Sequence, residues 1–307
     1  MEAAMPALEN QKILLTGPTS QVAWPIARAL APRNQVFGVA RLRKAEQRAQ
    51  LEAAGVRAVP LDLAKDSLDA LPRDFDYVLN FAVAKTGDFD ADLAANAEGL
   101  GRLLEHCRDA KAVLHCSSGG VYAPPGHKPA KETDPLGDNH RAMMPTYSLC
   151  KIAAEAVART CARLFDLPVT IARFSVPYGD NGGWPFYHMM MMKAGVPIPV
   201  HPDGPNTFNL THEDDYIAHL PRMLEIASVP ATIVNWAGEE ASIEEWCAYI
   251  GELTGLVPKF EKTEKTIASL PLDTTRLHEK VGPTRVRWRD GIRRLVQARA
   301  PELLRNA

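Results

Sequence analysis

Apolar and polar positions follow two alternating periods along the first half of the chain. Short apolar runs stand at Lys12-Ile13-Leu14-Leu15-Thr16, Gln35-Val36-Phe37-Gly38-Val39-Ala40, Val56-Arg57-Ala58-Val59-Pro60-Leu61, Tyr77-Val78-Leu79-Asn80-Phe81, Lys111-Ala112-Val113-Leu114-His115-Cys116 and Val169-Thr170-Ile171-Ala172-Arg173-Phe174. Their length and bounding residues read as buried strands. Helical spacing fills 22–30, 44–54 and about 90–109, and a long stretch from Tyr147 through Ala153, Ala154, Val157, Ala158, Cys161 and Leu164 to Phe165. Strands separated by helices predict an α/β fold with a doubly wound parallel sheet. The Pro- and Gly-rich segment 123–145 breaks the pattern and is expected to be a surface excursion that brings the chain back over the strand ends.

Composition narrows the classes. With 307 residues the chain can bury a large core, as one large domain or as a main domain with a smaller lobe. Lys plus Arg (35) nearly balances Asp plus Glu (37), and no basic stretch is interleaved with aromatics, so neither nucleic acid nor an anionic membrane surface is an expected partner. No apolar stretch approaches the length of a membrane span, and 1–11 lacks a signal-peptide pattern, so a soluble, cytoplasmic protein is expected. Five cysteines without metal-ligand spacing predict reduced, packed thiols with neither disulfide nor zinc. Nine histidines show no pairing that suggests a metal or a Ser-His-Asp triad.

Candidate chemistry begins with Tyr147-Ser148-Leu149-Cys150-Lys151, where four-residue spacing puts a phenol and an ammonium on one helix face. A neighbouring cation is expected to lower the phenol's pKa toward the working range and make it an acid/base. At Gly17-Pro18-Thr19-Ser20-Gln21-Val22-Ala23, a strand-loop-helix turn keeps only the first glycine of the dinucleotide fingerprint, with Ser20 and Ala23 at the other two places. The turn either holds a pyrophosphate or is an ordinary strand-helix join. Ala40 ends the second strand where a ribose-binding carboxylate would stand, and Arg41 and Arg43 follow. Guanidinium groups suit a 2'-phosphate, which makes the expected cofactor NADP; the alternative is that both arginines simply face solvent. Asp62-Leu63 borders the expected adenine position, and Ala82-Val83-Ala84-Lys85 supplies small-residue backbone near the cofactor. On its own, Asn96 reads as a surface helix residue. Ser117-Ser118-Gly119-Gly120 closes the fifth strand, and Ser118 there can meet Tyr147 at the carboxyl edge of the sheet.

In their order and spacing, the Gly17 loop, Asp62-Leu63, 80–85, 96–99, 117–122, Tyr147 with Lys151, and 173–179 resemble the extended short-chain dehydrogenase/reductase family. This family holds NAD-dependent sugar epimerases and dehydratases beside many carbonyl reductases. The resemblance, over about 11–295, implies a Rossmann-type domain at 1–176, with 230–254 returning to it, and a smaller C-terminal substrate-binding lobe from 177–229 and 255–307. On it, 229–236 is a returning strand and 242–254 a helix beside it. Tyr147 is then the acid/base, Lys151 lowers its pKa and holds the nicotinamide ribose, and Ser118 binds the reacting oxygen. The implied cofactor contacts are Gly17, Thr19, Ser20, Gln21, Val22, Arg41, Arg43, Asp62, Leu63, Phe81, Ala82, Val83, Lys85, Asn96, Ser117, Tyr147, Lys151, Phe174, Ser175 and Val176, with Phe174 and Ser175 against the nicotinamide. Members often dimerise through the Tyr-bearing helix and the one before the fifth strand, so a homodimer is expected.

Two departures bear on the branch. Val176 stands where sugar-nucleotide members usually carry Asn, and the family's Arg is missing around Thr207-Phe208-Asn209-Leu210. Between 174 and 216 the only Lys or Arg is Lys193, and an unneutralised diphosphate is costly to bury. Trp184, Phe186, Tyr187, Met189 to Met192 and Phe208 either line an apolar pocket or belong to a buried helix face. The expected activity is therefore an NADP-dependent oxidoreductase acting on a ketone, aldehyde or secondary alcohol of a mainly apolar small molecule. The alternatives are a nucleotide-sugar epimerase or dehydratase that retains its dinucleotide, with Arg276, Arg285 or Arg287 supplying the missing charge, and a non-catalytic NADP-binding regulator.

Overall fold

The computed structural model describes residues 8–305, so the outermost ends of the two expected domains, 1–7 and 306–307, lie outside the described residues. In chain order the elements are β1 (Lys12–Thr16), α1 (Ala23–Leu30), β2 (Gln35–Ala40), α2 (Ala45–Ala53), β3 (Arg57–Pro60), β4 (Tyr77–Asn80), α3 (Phe89–Leu93), a π-helical turn (Ala94–Glu98), α4 (Gly99–His106), β5 (Ala112–Ser118), α5 (Tyr147–Phe165) and β6 (Val169–Phe174). There follow β7 (Pro177–Gly179), β8 (Gly182–Gly183), α6 (Trp184–Ala194), β9 (Ile198–Val200), β10 (Thr207–His212), α7 (Glu213–Glu225), β11 (Thr232–Trp236), β12 (Glu239–Ser242), α8 (Ile243–Thr254), β13 (Phe260–Lys262), α9 (Thr275–Lys280) and α10 (Trp288–Arg299).

Two compact units emerge. The first comprises 1–118, 146–173 and 217–234; the second comprises 119–145, 174–216 and 235–307. The expected bounds had placed 119–145, 174–176 and 235–254 with the first and 217–229 with the second.

In the first unit a seven-stranded sheet has the order β11-β6-β5-β4-β1-β2-β3, with parallel pairing of β3, β2, β1, β4 and β5. Ile13, Leu14, Leu15, Val78, Leu79, Val113 and Leu114 are all fully buried, as strands covered on both faces require. Strand order reverses between β1 and β4, and this opens a crevice at their carboxyl ends. The expected helix at 90–109 is present but contains the π turn, at which Asn96 is turned inward. A Cβ at Gly99, just after that turn, would stand 3.1 Å from the Leu63 carbonyl oxygen, so only glycine lets the helix approach the 61–66 loop this closely.

The second unit has a four-stranded sheet, β12-β10-β7-β8, and a two-stranded one, β13-β9. Its core is aromatic. Phe174 stacks on Trp236 at 4.5 Å and meets Tyr216 edge-on, and Trp184 meets Phe208 in the same manner. The methionine run divides by helical spacing, with Met189 and Met192 buried in the core and Met190 exposed, so two of the four are not pocket-lining. The helix expected at 242–254 is α8, started by a capping box between Ser242 and Glu245. Segment 123–145 is mostly exposed, as expected of a surface excursion, but it is tied down at several points. Gly137 N–H donates to the Val121 carbonyl (2.9 Å), Ala123 N–H to Pro135 (3.0 Å) and Ala130 N–H to Pro271 (2.9 Å), while Tyr122 and Ala130 are fully buried. Isolated bridges between prolines and glycines have no periodicity to reveal them.

Cys107, Cys150, Cys161 and Cys247 are buried thiols and Cys116 is partly so. Among the described residues no helix is long and apolar enough to cross a membrane, and no cluster of His, Cys, Asp and Glu could hold a metal ion.

Candidate active site

A polar row crosses the strands beneath the crevice. The buried Thr16 hydroxyl donates to Asn80 Oδ1 (2.7 Å) and accepts from the backbone N–H groups of Phe81 and Ala82 (3.0 Å each). Asn80 Nδ2 donates to His115 Nδ1 (2.9 Å), so the ring proton sits on Nε2. Burial, reinforced by the nearby Lys151 ammonium, holds His115 well below the ordinary imidazole range, and the row is uncharged. Phe81 and Ala82 thus give their donors to Thr16, and they shape the crevice through backbone. Gly17 lies at φ +67°, where a Cβ would stand 3.0 Å from Ala82 Cα, so the loops after β1 and β4 come together only over a glycine.

Around this floor the expected cofactor residues divide. Ser20 Oγ accepts from Ala23 N–H (3.1 Å) at the start of α1. Thr19, Gln21 and Val22 share the Gly17 loop, and all are partly exposed. Arg41 and Arg43 are exposed beyond β2, on either side of Leu42, which adopts φ +39°. Asp62 closes its own turn by accepting from Ala64 N–H (3.1 Å), and the Leu63 carbonyl accepts from Arg102 (2.8 Å). Asn96 is buried, against its reading as a surface residue. Its Oδ1 accepts from Ala84 N–H (2.8 Å) and its Nδ2 donates to the carbonyls of Ala84 (3.0 Å) and Asp92 (2.8 Å), so it fixes the loop that holds Val83 and Lys85.

Asp92 does more of this work than any residue the sequence had suggested. Its carboxylate accepts from Thr86 N–H and Oγ1, Gly87 N–H and Thr146 Oγ1 (2.6 Å), tying the loop after β4 to the residue before Tyr147. Burial alone would raise its pKa, but the bonds from Thr146, Thr86 and Gly87 outweigh it and hold the carboxyl below the usual 3.8. A depressed pKa contributes stability above the unfolded value and loses it as pH falls through the folded one. Asp92→Asn is therefore expected to cost about 1.5–3 kcal/mol at pH 7. In thermal melts the gap from the unsubstituted protein should begin to shrink near pH 3.8 and close only as pH falls through the lower folded pKa, where Asp92 too is uncharged.

The three residues expected to carry chemistry converge. Ser118 ends β5, Tyr147 opens α5, and their side chains share a hydrogen bond. Lys151 lies one turn along, only 4% exposed. The expected electrostatics are corrected here, because Lys151 Nζ donates to the Cys116 carbonyl (2.6 Å). Desolvation pushes the partly exposed phenol up to about 12, with the Ser118 hydrogen bond working against it. Burial pulls the Lys151 ammonium down, opposed by Cys116 and the Glu155 carboxylate. A second cation stands close, with Lys85 Nζ 5.9 Å above the Tyr147 ring.

Behind them is a buried ion pair. Arg173 donates twice to Glu155, from Nε (3.0 Å) and Nη2 (2.8 Å), and Ser117 Oγ donates to the same carboxylate (2.6 Å). Ser117 thus turns its hydroxyl toward α5. The signal that could have revealed this network is the carboxylate spacing, since Glu155 repeats the four-residue step from Tyr147 to Lys151.

In the second unit the Phe174 ring belongs to the aromatic core described above. Ser175 N–H donates to the Trp236 carbonyl (3.0 Å), and Thr211 N–H donates to Val176 (3.0 Å). Of the arginines that could supply a diphosphate's counter-charge, Arg276 faces Glu132 (3.7 Å) and Arg287 faces Glu239 (2.9 Å), while the backbone N–H of Arg285 donates to Asp215 (2.7 Å).

The profile of the NAD dependent epimerase/dehydratase family matches residues 13–237. No curated protein shows significant similarity to the sequence. Among solved structures, the UDP-N-acetylglucosamine 4-epimerase of Methanobrevibacter ruminantium M1, in complex with UDP-N-acetylmuramic acid, superposes with a TM-score of 0.81 at 18% identity, covering 96% of this chain and all (100%) of that one. The UDP-glucuronic acid 4-epimerase of Bacillus cereus, with UDP-glucuronic acid and NAD, gives 0.80 at 19% identity, over 94% and 98%. A dTDP-glucose 4,6-dehydratase of Streptomyces venezuelae, with NAD bound, gives 0.79 at 23% identity, over 93% and 96%. At these identities the likeness is one of fold.

Proposed function

The chain belongs to the NAD dependent epimerase/dehydratase family, and from that premise we propose that it binds a nicotinamide dinucleotide in the crevice of its first unit and uses Tyr147 to move a proton at a hydroxyl-bearing carbon of a nucleotide-linked sugar. The observation that carries this reading is the hydrogen-bonded Ser118–Tyr147 pair beside the buried Lys151. When bound, the dinucleotide supplies a hydride acceptor and donor. The residues present suit it: Gly17, at φ +67°, keeps the loop after β1 free of a side chain at the crevice, and the buried Nε2 of His115 makes no hydrogen bond to protein. Ser118 holds the substrate oxygen. Tyr147, protonated at neutral pH, enters as the acid, and Lys151 stabilises the phenolate that remains. The nucleotide sugar is supported by what the structural neighbours bind, and it displaces the simple carbonyl substrate as first reading.

A reductase of apolar carbonyl compounds is the second reading, favoured by the scarcity of cations between 174 and 216, where Lys193 itself pairs with Glu302 (3.2 Å). The two are separated by incubating the purified protein with UDP-glucuronic acid, UDP-N-acetylglucosamine and dTDP-glucose, and separately with ketones plus NADPH. Conversion of a sugar, seen by NMR without net loss of NADPH, is the expected result. Stoichiometric NADPH consumption on ketones, with the sugars untouched, selects the second reading.

We assign NADP as the preferred dinucleotide, supported by Arg41 and Arg43 and by Ala40, which presents no carboxylate to repel a 2'-phosphate. Loss of a charge-assisted hydrogen bond is worth about 1.5–3 kcal/mol, so Arg41→Ala should weaken NADPH roughly 10- to 100-fold and leave NADH unchanged. Equal calorimetric affinities of the unsubstituted protein for the two would overturn the assignment.

A further inference from the structure

We propose that Lys85 is a positioning residue for the proton transfer, an ammonium held over the Tyr147 ring that favours the phenolate left when Tyr147 gives up its proton. The inference rests on the reading of Tyr147 as the acid and adds to it a second cation that acts through the ring. All the groups concerned belong to the first unit. Lys85 lies in the loop after β4, which is fixed on both sides of it. Ala84 exchanges hydrogen bonds with Asn96 through its N–H (2.8 Å) and its carbonyl (3.0 Å), and Thr86 N–H donates to Asp92 (3.0 Å). From this fixed backbone the Lys85 side chain brings its Nζ to 5.9 Å from the centre of the Tyr147 ring. Among the described residues that ammonium meets no carboxylate, so the ring face is what it is offered.

The placement has chemical weight because the other cation is engaged elsewhere. Lys151 Nζ donates to the Cys116 carbonyl (2.6 Å), and the Glu155 carboxylate offsets part of its charge. The remaining groups around the phenol bring no positive charge. Ser118 is a hydroxyl, burial pushes the Cys116 thiol up to about 11 and keeps it neutral, and Asp92, bound to the adjacent Thr146, is a carboxylate. When the Tyr147 O–H bond breaks, the proton joins the substrate oxygen and the electron pair stays on the phenolate, which a nearby ammonium stabilises. A unit charge about 6 Å away, between the limits of bulk water and a protein surface, changes a pKa by about half a unit to one unit, or about three- to tenfold in phenolate. On Lys151 the sign is opposite. The two ammoniums repel, and Lys85 draws the Lys151 pKa down. Its removal should therefore help Lys151 keep its proton while it costs Tyr147 a stabilising charge.

Lys85→Met keeps the length of the side chain and removes the charge; Lys85→Arg keeps a charge. In the ligand-free protein near pH 8, nitration of Tyr147 by tetranitromethane proceeds through the phenolate and is read by peptide mass spectrometry without any substrate. Lys85→Met should slow it about three- to tenfold, and Lys85→Arg should hold it within about twofold. With whichever nucleotide sugar is converted, kcat near pH 8 at saturating dinucleotide should fall by the same factor in Lys85→Met. The alkaline limb of its profile should move to higher pH, and Lys85→Arg should restore both rate and limb. Equal nitration rates in Lys85→Met and the unsubstituted protein overturn the inference. A fall in turnover explained entirely by weaker dinucleotide binding also overturns it, and makes Lys85 a cofactor contact alone. Failure of the unsubstituted protein to convert any nucleotide sugar overturns the functional reading, while the nitration rates still decide what Lys85 does to the phenol.

Discussion

Tyr147→Phe is expected to lower turnover by about three orders of magnitude while leaving the affinity for the dinucleotide within twofold. The substitution removes one oxygen and keeps the ring, so the aromatic contact with Lys85 and the start of α5 persist. What disappears is the proton donor and its hydrogen bond to Ser118. A positioned acid contributes about 10²- to 10⁴-fold, and Lys151, one turn along, is engaged with the Cys116 carbonyl. Ser118→Ala should cost less, about 10- to 100-fold, because it loosens the substrate oxygen without removing the acid. Single-turnover kinetics with whichever nucleotide sugar is converted would measure both. A Tyr147→Phe variant within tenfold of the unsubstituted protein would show that the proton travels elsewhere, and the central assignment would fail.

That such an experiment can be designed at all reflects how much of this molecule is written locally. Buried parallel strands must be apolar along their whole length, so the runs at Ile13, Val36, Val78 and Val113 marked the sheet, and helical spacing marked α5. The spacing of Tyr147 and Lys151 also carried over directly into space. The electrostatics did not, since a four-residue step says that an ammonium can reach a phenol and nothing about a backbone carbonyl competing for it. Asn96 shows the same limit from another side. A π turn is invisible to a 3.6-residue period, and so its inward rotation had no signature. Asp92 was missed because its partners, Thr86, Gly87 and Thr146, belong to loops whose meeting depends on the tertiary fold. In the second unit, chains of Pro and Gly between 119 and 145 concealed bridges that are set by contacts to Pro271 and Asn235. Phe174 was read from its place in the chain, which says nothing of the stacking that a large ring finds beside Trp236.

The largest effect on stability should come from the Glu155–Arg173 pair, and it should reach the chemistry by a route that stability alone does not predict. Both side chains are almost completely buried, and Ser117 completes the carboxylate's hydrogen bonding. Removing one partner strands the other charge in a low-dielectric site, at a cost of about 3–5 kcal/mol, so Glu155→Leu should melt about 5–10 °C lower. The double variant Glu155→Leu with Arg173→Met leaves no orphaned charge and should recover most of that loss. Its activity should not recover in parallel at high pH. Glu155 is one of the groups that keep the buried Lys151 protonated, and without it desolvation draws the ammonium's pKa further down. Lys151 then loses its proton at lower pH, so the alkaline limb of the turnover profile should move to lower pH in the double variant, while the acidic limb stays in place. A double variant that refolds with an unshifted alkaline limb would confine Glu155 to a packing role and separate the ion pair from the proton chemistry that it adjoins.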